Sequence, residues 1–244
     1  MMIAVIPARG GSKRMPRKNI REFAGRPIIA YSIGTARESG LFDRVVVSTD
    51  DSEIAAVARH WGAETPFGRP AELSDDHTGT TAVVAHALLC LEMQGGPTIT
   101  HACCIYPTAP LLTVADLEMG KDALLSSGKS YAFSIASFPF PIERALRLLP
   151  DATVDACFPE HRLTRSQDLE PTYHDAGQFY WGLRDAFCEH RPIFSRDAVG
   201  VVLPRDRVAD IDTPEDWNHA ELLMQVRALR AEQSKAATKE GGSK

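Results

Sequence analysis

From residue 3 to residue 137 the chain alternates short apolar, β-branched runs with stretches of helical period, and few folds accommodate that alternation. Residues 3–8 form an apolar run that ends in a loop, and residues 27–38 carry apolar side chains at helical spacing until Ser39-Gly40. The unit then repeats. Residues 44–50 read as a strand, Asp51-Ser52-Glu53 opens a helix over residues 54–61, and Gly62 closes it. A helix at 80–94, a strand at 99–106, a helix at 114–126 and a strand at 131–137 continue the series. Such alternation predicts an α/β fold: a single Rossmann-like, mostly parallel sheet with helices on both faces, joined by right-handed crossovers.

The rhythm breaks between residues 138 and 178, where "FPFPIERAL" and "TRSQDLEPTYHDAG" bring proline, charge and aromatics without a period. That composition predicts an inserted arm or lid, suited to a dimer interface. Strands are expected again at 178–182 and 198–203. A closing amphipathic helix is expected at 214–231, with Trp217, Leu222, Leu223, Val226 and Leu229 turned inward. The α/β domain is thus expected to comprise residues 1–137 and 179–233, with 138–178 as the arm and 234–244 as a disordered tail.

At 244 residues and 44% hydrophobic the chain can bury one sizeable core. Its 27 Lys and Arg stand against 32 Asp and Glu, so the net charge of −5 argues against a nucleic-acid partner for the surface as a whole. Nothing approaches the roughly 20 consecutive apolar residues of a membrane span, and the first residues carry no basic leader, which predicts a cytoplasmic protein without a membrane partner. The five cysteines lack a C-x-x-C spacing, so reduced, largely buried thiols are expected rather than disulfides or a zinc site.

Against this acidic balance, "IPARGGSKRMPRKN" (residues 6–19) is basic, with Arg9, Lys13, Arg14, Arg17 and Lys18 around Gly10-Gly11-Ser12. It is neither a P-loop nor a G-x-G-x-x-G turn. It does follow a strand, at the end where α/β sheets place ligands, and its glycines let the backbone approach a phosphate. The alternative is a solvated basic loop. Near the other terminus, "ADIDTPEDW" sets Asp210 and Asp212 two residues apart, a spacing that on extended backbone aims both carboxylates to one side, as Mg²⁺ requires. Helix capping accounts for Thr213, Pro214 and Asp216 without explaining that pair.

These two segments occur in order with "VVVSTDD", "RPAELSDDHTGTTAVVAHAL" and "YPTAPLL", and together they resemble the CMP-nonulosonate (acylneuraminate) cytidylyltransferases over nearly the whole chain. "FPFPIERAL", "TRSQDLEPTYHDAGQFYWG" and the Tyr-Pro-Thr at Tyr106 look most like the members that act on pseudaminic acid. The resemblance implies a nucleotide-diphospho-sugar transferase type of fold and transfer of CMP from CTP to the anomeric hydroxyl of a nonulosonic acid, with release of pyrophosphate. It further implies Mg²⁺ as cofactor and a homodimer.

Carried onto this sequence, it places Arg9, Ser12, Lys18 and Asn19 on the triphosphate, with Ala8 and Gly11 in the same nucleotide-binding run. Arg69 and Thr80 lie where cytosine and ribose are held, and Asp210 and Asp212 would hold the metal. Arg9, Lys18 and Asp210 are then the candidate catalytic residues, with Asp210 or a metal-bound hydroxide as base. Tyr106, His174, Gln178 and Phe179 are the candidate sugar contacts. For His174 a carboxylate contact and a plain surface position are both open, and Tyr106 is open to sugar stacking or to a place at the core edge.

Overall fold

A computed structural model describes residues 1–76 and 78–241. In chain order the elements are β1 (Met2–Pro7), the hairpin β2 (Glu22–Phe23) and β3 (Arg26–Pro27), α1 (Ile29–Glu38), β4 (Arg44–Ser48), α2 (Ser52–His60), α3 (Thr80–Met93), β5 (His101–Ile105), α4 (Val114–Ser127) and β6 (Tyr131–Ser137). A second hairpin, β7 (Leu146–Leu148) and β8 (Val154–Ala156), precedes β9 (Tyr173–Leu183), α5 (Arg184–Cys188), β10 (Ala198–Val202) and α6 (Pro214–Gly241).

Six strands form the central sheet in the order β10-β6-β9-β5-β1-β4. β1 pairs in parallel with β4 and β5, β10 pairs in parallel with β6, and β9 runs antiparallel to both of its neighbours. Successive side chains of a strand point to opposite faces, and β1 follows that rule. Ala4 and Ile6 pack with Ile29, Ile33, Ile54, Leu117 and Leu124 of α1, α2 and α4. Ile3 and Val5 pack with Val84, Leu88, Leu91 and Phe187 of α3 and α5. The sheet is therefore covered on both faces, which is why its central strands read as unbroken apolar runs. A smaller cluster of Met15, Phe23, Ile28, Ile211, Trp217 and Ala220 packs the start of α6 against the first hairpin.

Local signals set the helix ends. Asp51 caps α2 by accepting from the backbone N–H of Glu53 (2.9 Å) and Ile54 (3.0 Å), and Arg17 beside it holds its carboxyl below the usual carboxylate range. Thr113 and Asp116 form a capping box at α4, and Gly128, at φ 65°, ends that helix in the left-handed region. Cys103 and Cys104 are free and fully buried, and burial pushes both thiols up, as the sequence leads one to expect.

Three sequence expectations are corrected. β9 begins at Tyr173 rather than 178, so the excursion from the sheet spans residues 138–172. In α6, Trp217 is buried, but Leu222, Val226 and Leu229 are exposed (58%, 41% and 58%). On a 3.6-residue turn these three lie away from the face shared by Trp217, Ala220 and Met224, which is the face that packs. The helix also continues to Gly241, across residues read as a tail, and 242–244 lie outside the described residues. No helix among the described residues is long and apolar enough to cross a membrane.

Candidate functional site

The loop that leaves β1 lines a cleft of ≈ 580 Å³, together with the start of α3, the residues after β5, and Asp212. Four parts of the chain meet there because the parallel strands all end on that side.

The loop is pinned from beneath. Ala8 is fully buried and donates its N–H to the Ser48 carbonyl (2.9 Å), and Gly10 donates its N–H to Asp50 Oδ1 (2.9 Å). A Cβ on Gly10 would lie 2.7 Å from Asp51 Oδ2, whereas one on Gly11 would meet nothing within 4 Å. Packing therefore constrains Gly10, while Gly11 faces open space. Asn19 is 6% exposed and donates from Nδ2 to the Arg9 carbonyl (2.9 Å), so it holds the loop's shape rather than opening toward solvent.

Arg17 adopts φ 58°, and the turn sends its side chain to Asp51 and Glu53 while Lys18 points the other way. Lys18 Nζ donates to the Ile211 carbonyl (2.6 Å) and lies 3.3 Å from Asp212 Oδ1. Arg14 pairs with Asp212 Oδ2 at 2.7 Å. Arg9 pairs with Asp76 Oδ1 (2.7 Å) and donates to the Asp75 carbonyl (2.6 Å), and Lys13 pairs with the other oxygen of Asp76. Ser12 lines the cleft among these cations. Four cations thus converge on one concave surface, and acidic side chains hold them in place; such an array is suited to a polyanion.

At the inner wall Arg69 is 7% exposed, and its Nε donates to Ser48 Oγ (3.2 Å) while its Nη2 donates to the Ser48 carbonyl. Burial pushes its guanidinium down to about 10, with Asp50 opposing the shift. Thr80, the first residue of α3, has its hydroxyl 3.1 Å from that of Tyr106, whose ring tilts against Tyr180 with centroids 5.4 Å apart. Burial raises the Tyr106 phenol above its ordinary range, so it stays neutral and able to donate. Thr80 and Tyr106 also line a second hollow of ≈ 400 Å³ that includes Asp175, Tyr180, Arg191 and Phe194. The two hollows share a wall.

Asp210 and Asp212 lie on residues that form neither strand nor helix. Although Asp210 remains exposed, atoms crowding its carboxyl and the charge of Asp212 raise its affinity for a proton, with Lys18 opposing. No group of three or more His, Cys, Asp or Glu that could hold a metal occurs among the described residues. Asp212 lines the cleft and Asp210 is not among its lining residues; two carboxylates are nonetheless the hard oxygen ligands that Mg²⁺ takes, with phosphate oxygens and water to complete its shell.

The structure brings Arg9, Ser12, Lys18, Asn19, Arg69, Thr80, Tyr106 and Asp212 to one cleft. It sets three expected sugar contacts elsewhere. Phe179 is fully buried in the core on the α4 side. Gln178 is 2% exposed and donates from Nε2 to the Arg207 carbonyl (2.5 Å). His174 packs edge-on to Phe138, and its Nδ1 lies 2.8 Å from the Asp175 carbonyl. Sequence reasoning gave no role to Lys13 or Arg14 beyond their charge, and it passed over Asp76 and Thr108, which also line the cleft. The "SDD" run in "RPAELSDDHTG" was the available signal for Asp76, an acidic stretch in a segment already carrying Arg69.

The chain matches the cytidylyltransferase family over residues 3–235. It is 45% identical over 224 residues to a pseudaminic acid cytidylyltransferase of Campylobacter jejuni, covering 92% of this chain and 96% of that one. It is 31% identical over 232 residues to a CMP-N,N'-diacetyllegionaminic acid synthase of Legionella pneumophila, covering 92% and 97%. Among solved structures it resembles a CMP:2-keto-3-deoxy-manno-octonic acid synthetase complexed with CTP, with a TM-score of 0.63 at 17% identity over 95% of this chain and 99% of that one. That last likeness concerns the fold.

Proposed function

The chain belongs to the cytidylyltransferase family, and we propose that it transfers CMP from CTP to the anomeric hydroxyl of pseudaminic acid, releasing pyrophosphate and giving CMP-pseudaminic acid. The observation that carries this reading is the convergence of Arg9, Lys13, Arg14 and Lys18 with Asp212 in one cleft, in a chain 45% identical to an enzyme named for that acceptor.

In this reading Arg9, Lys13, Arg14 and Lys18 exchange their carboxylate partners for the oxygens of the triphosphate. Arg9 and Lys18 then offset the charge that gathers on departing pyrophosphate, where fixed donors are most effective. Ser12 adds a hydroxyl donor, and Asn19 keeps the Arg9 backbone in position. Arg69 and Thr80 hold the nucleoside side of CTP. Tyr106 lines both hollows, and in this reading the nucleotide takes the larger and the sugar the smaller, which Asp175, Tyr180 and Phe194 also line. The Asp210 and Asp212 carboxylates would hold Mg²⁺, which when bound screens the phosphate charge and orients the α-phosphorus for in-line attack. The Asp210 carboxylate would take the proton from the acceptor hydroxyl.

Pyrophosphate release with CTP and Mg²⁺, run against pseudaminic, legionaminic, N-acetylneuraminic and 3-deoxy-manno-octulosonic acids, tests this. Release is expected with pseudaminic acid. Release with a different acid alone would remove the acceptor assignment, and no release with any of the four would remove the catalytic one.

A homodimer is part of the same proposal. The arm exposes Leu146, Leu148 and Val154 (63%, 75% and 62%) on its hairpin, and apolar side chains so open on a short two-stranded ribbon favour burial against a second copy. Light scattering coupled to size exclusion is expected to give twice the 26.7 kDa of the chain. A mass of one chain at micromolar concentration would overturn the dimer.

A further inference from the structure

Residues 208–213 carry both candidate metal carboxylates yet belong to no strand or helix, so something outside regular structure must fix them. Downstream the anchors are plain. Ile211 is buried beside Met15 and Trp217, its carbonyl accepts from Lys18, and Asp216 accepts from the backbone N–H of Asp212 (3.1 Å) and Thr213 (2.8 Å). Upstream the chain arrives through a single tight turn, residues 205–207, and Arg207 is held there from two directions.

Its guanidinium donates to Asp116 Oδ2 (2.9 Å) and Thr113 Oγ1 (3.1 Å), the two residues of the α4 capping box, and the Asp116 side chain is 1% exposed. A carboxylate so enclosed is held firmly only with its cation in place. From the opposite side, Gln178 of β9 donates its amide to the Arg207 carbonyl. Gln178 is itself fixed, because its backbone N–H donates to Ser134 Oγ (3.2 Å) and its carbonyl accepts from the Tyr106 N–H (2.9 Å). The turn three residues before Asp210 is therefore clamped between α4 and β9 in the sheet, through a β9 residue that is also hydrogen-bonded to Tyr106 at the end of β5.

We propose that Gln178 and Arg207 are positioning residues for the Asp210–Asp212 pair, setting the carboxylates to receive a hard divalent cation with the nucleotide. This rests on the functional reading above. It gives Gln178 a role other than sugar contact. Groups that orient ligands without touching the metal typically change its affinity ten- to a hundred-fold when removed.

The test uses Mn²⁺ as a paramagnetic probe, titrated by EPR into the full chain with saturating CTP, and CTP binding by calorimetry in EDTA. Gln178→Leu keeps the volume and removes the amide. It is expected to weaken Mn²⁺ binding about ten-fold while CTP affinity in EDTA stays within two-fold. Arg207→Met should act in the same direction, and Arg207→Lys, which keeps a cation on Asp116, should recover most of the affinity. Asp212→Asn is run alongside. If it weakens Mn²⁺ binding and Gln178→Leu does not, the positioning role is overturned. If Gln178→Leu weakens metal and metal-free nucleotide binding alike, it is overturned as well, since the change would then be a general loosening of the cleft. Should Asp212→Asn leave Mn²⁺ binding unchanged, the metal assignment itself falls, and this proposal with it.

Discussion

Asp212→Ala is expected to lower CTP-dependent turnover by roughly a hundred- to a thousand-fold while leaving the protein folded. A metal that stabilises transition-state charge contributes several kcal/mol, and each ~1.4 kcal/mol is a factor of ten in rate. The side chain is 35% exposed, and its partner Arg14 is 67% exposed, so that ion pair stabilises the fold by no more than about 1 kcal/mol. Loss of the carboxylate also frees Arg14 and Lys18, both of which face the cleft. CTP binding in the absence of metal is then expected to hold or tighten even as turnover collapses. Steady-state pyrophosphate release and calorimetry read the two effects separately. Turnover within a few-fold of wild type would remove Asp212 from the mechanism.

The second large effect falls on stability. Trp181 is fully buried, stacks on Phe42 with centroids 5.0 Å apart, and donates from its indole nitrogen to the Leu117 carbonyl (3.0 Å). Gly120 lets α4 approach this ring, for a Cβ there would sit 2.6 Å from Trp181 Cδ1. Trp181→Ala therefore empties the seam between α4 and the middle of the sheet. The cost expected for such a truncation is about 3–5 kcal/mol, which for a chain of this size lowers Tm by roughly 10 °C. Thermal unfolding followed by circular dichroism measures it. A fall of less than about 3 °C would mean that the seam collapses onto the missing ring or was never tightly packed. Trp181 does not line the cleft, so specific activity well below the lowered Tm is expected to survive.

Much of this architecture is legible in the sequence because both faces of the sheet are covered. β1, β4, β5 and β6 read as apolar runs, and α2 announces itself through its cap at Asp51. β9 was only half visible. Its first residues, Tyr173, His174 and Asp175, are polar or partly open at the end of the sheet, and they resemble the arm that precedes them. The exposed side of α6 was misjudged because Leu222, Val226 and Leu229 form an apolar stripe of their own, and a stripe does not declare whether the chain itself or another molecule covers it.

The site divides in the same way. Arg9, Lys18 and Asp212 lie in segments whose composition already stands out. The carboxylate partners of the cations, such as Asp76, become evident only once distant segments are brought together. Phe179 and Gln178 were misread because neighbouring residues of one strand point to different places: one into the α4 core, the other toward Arg207.

The antiparallel course of β9 has a wider consequence. Ser137 and Tyr173, which bound the arm, are paired neighbours in the β6–β9 ladder. The sheet itself therefore closes the excursion, and the intervening residues need not span a gap. Since the entropic cost of a closed loop grows only slowly with its length, the arm can lengthen, shorten or be exchanged in evolution at little expense to the core. A catalytic scaffold arranged this way can acquire new acceptors or new assembly partners by replacing one detachable segment, while the nucleotide chemistry on the other strands is left undisturbed.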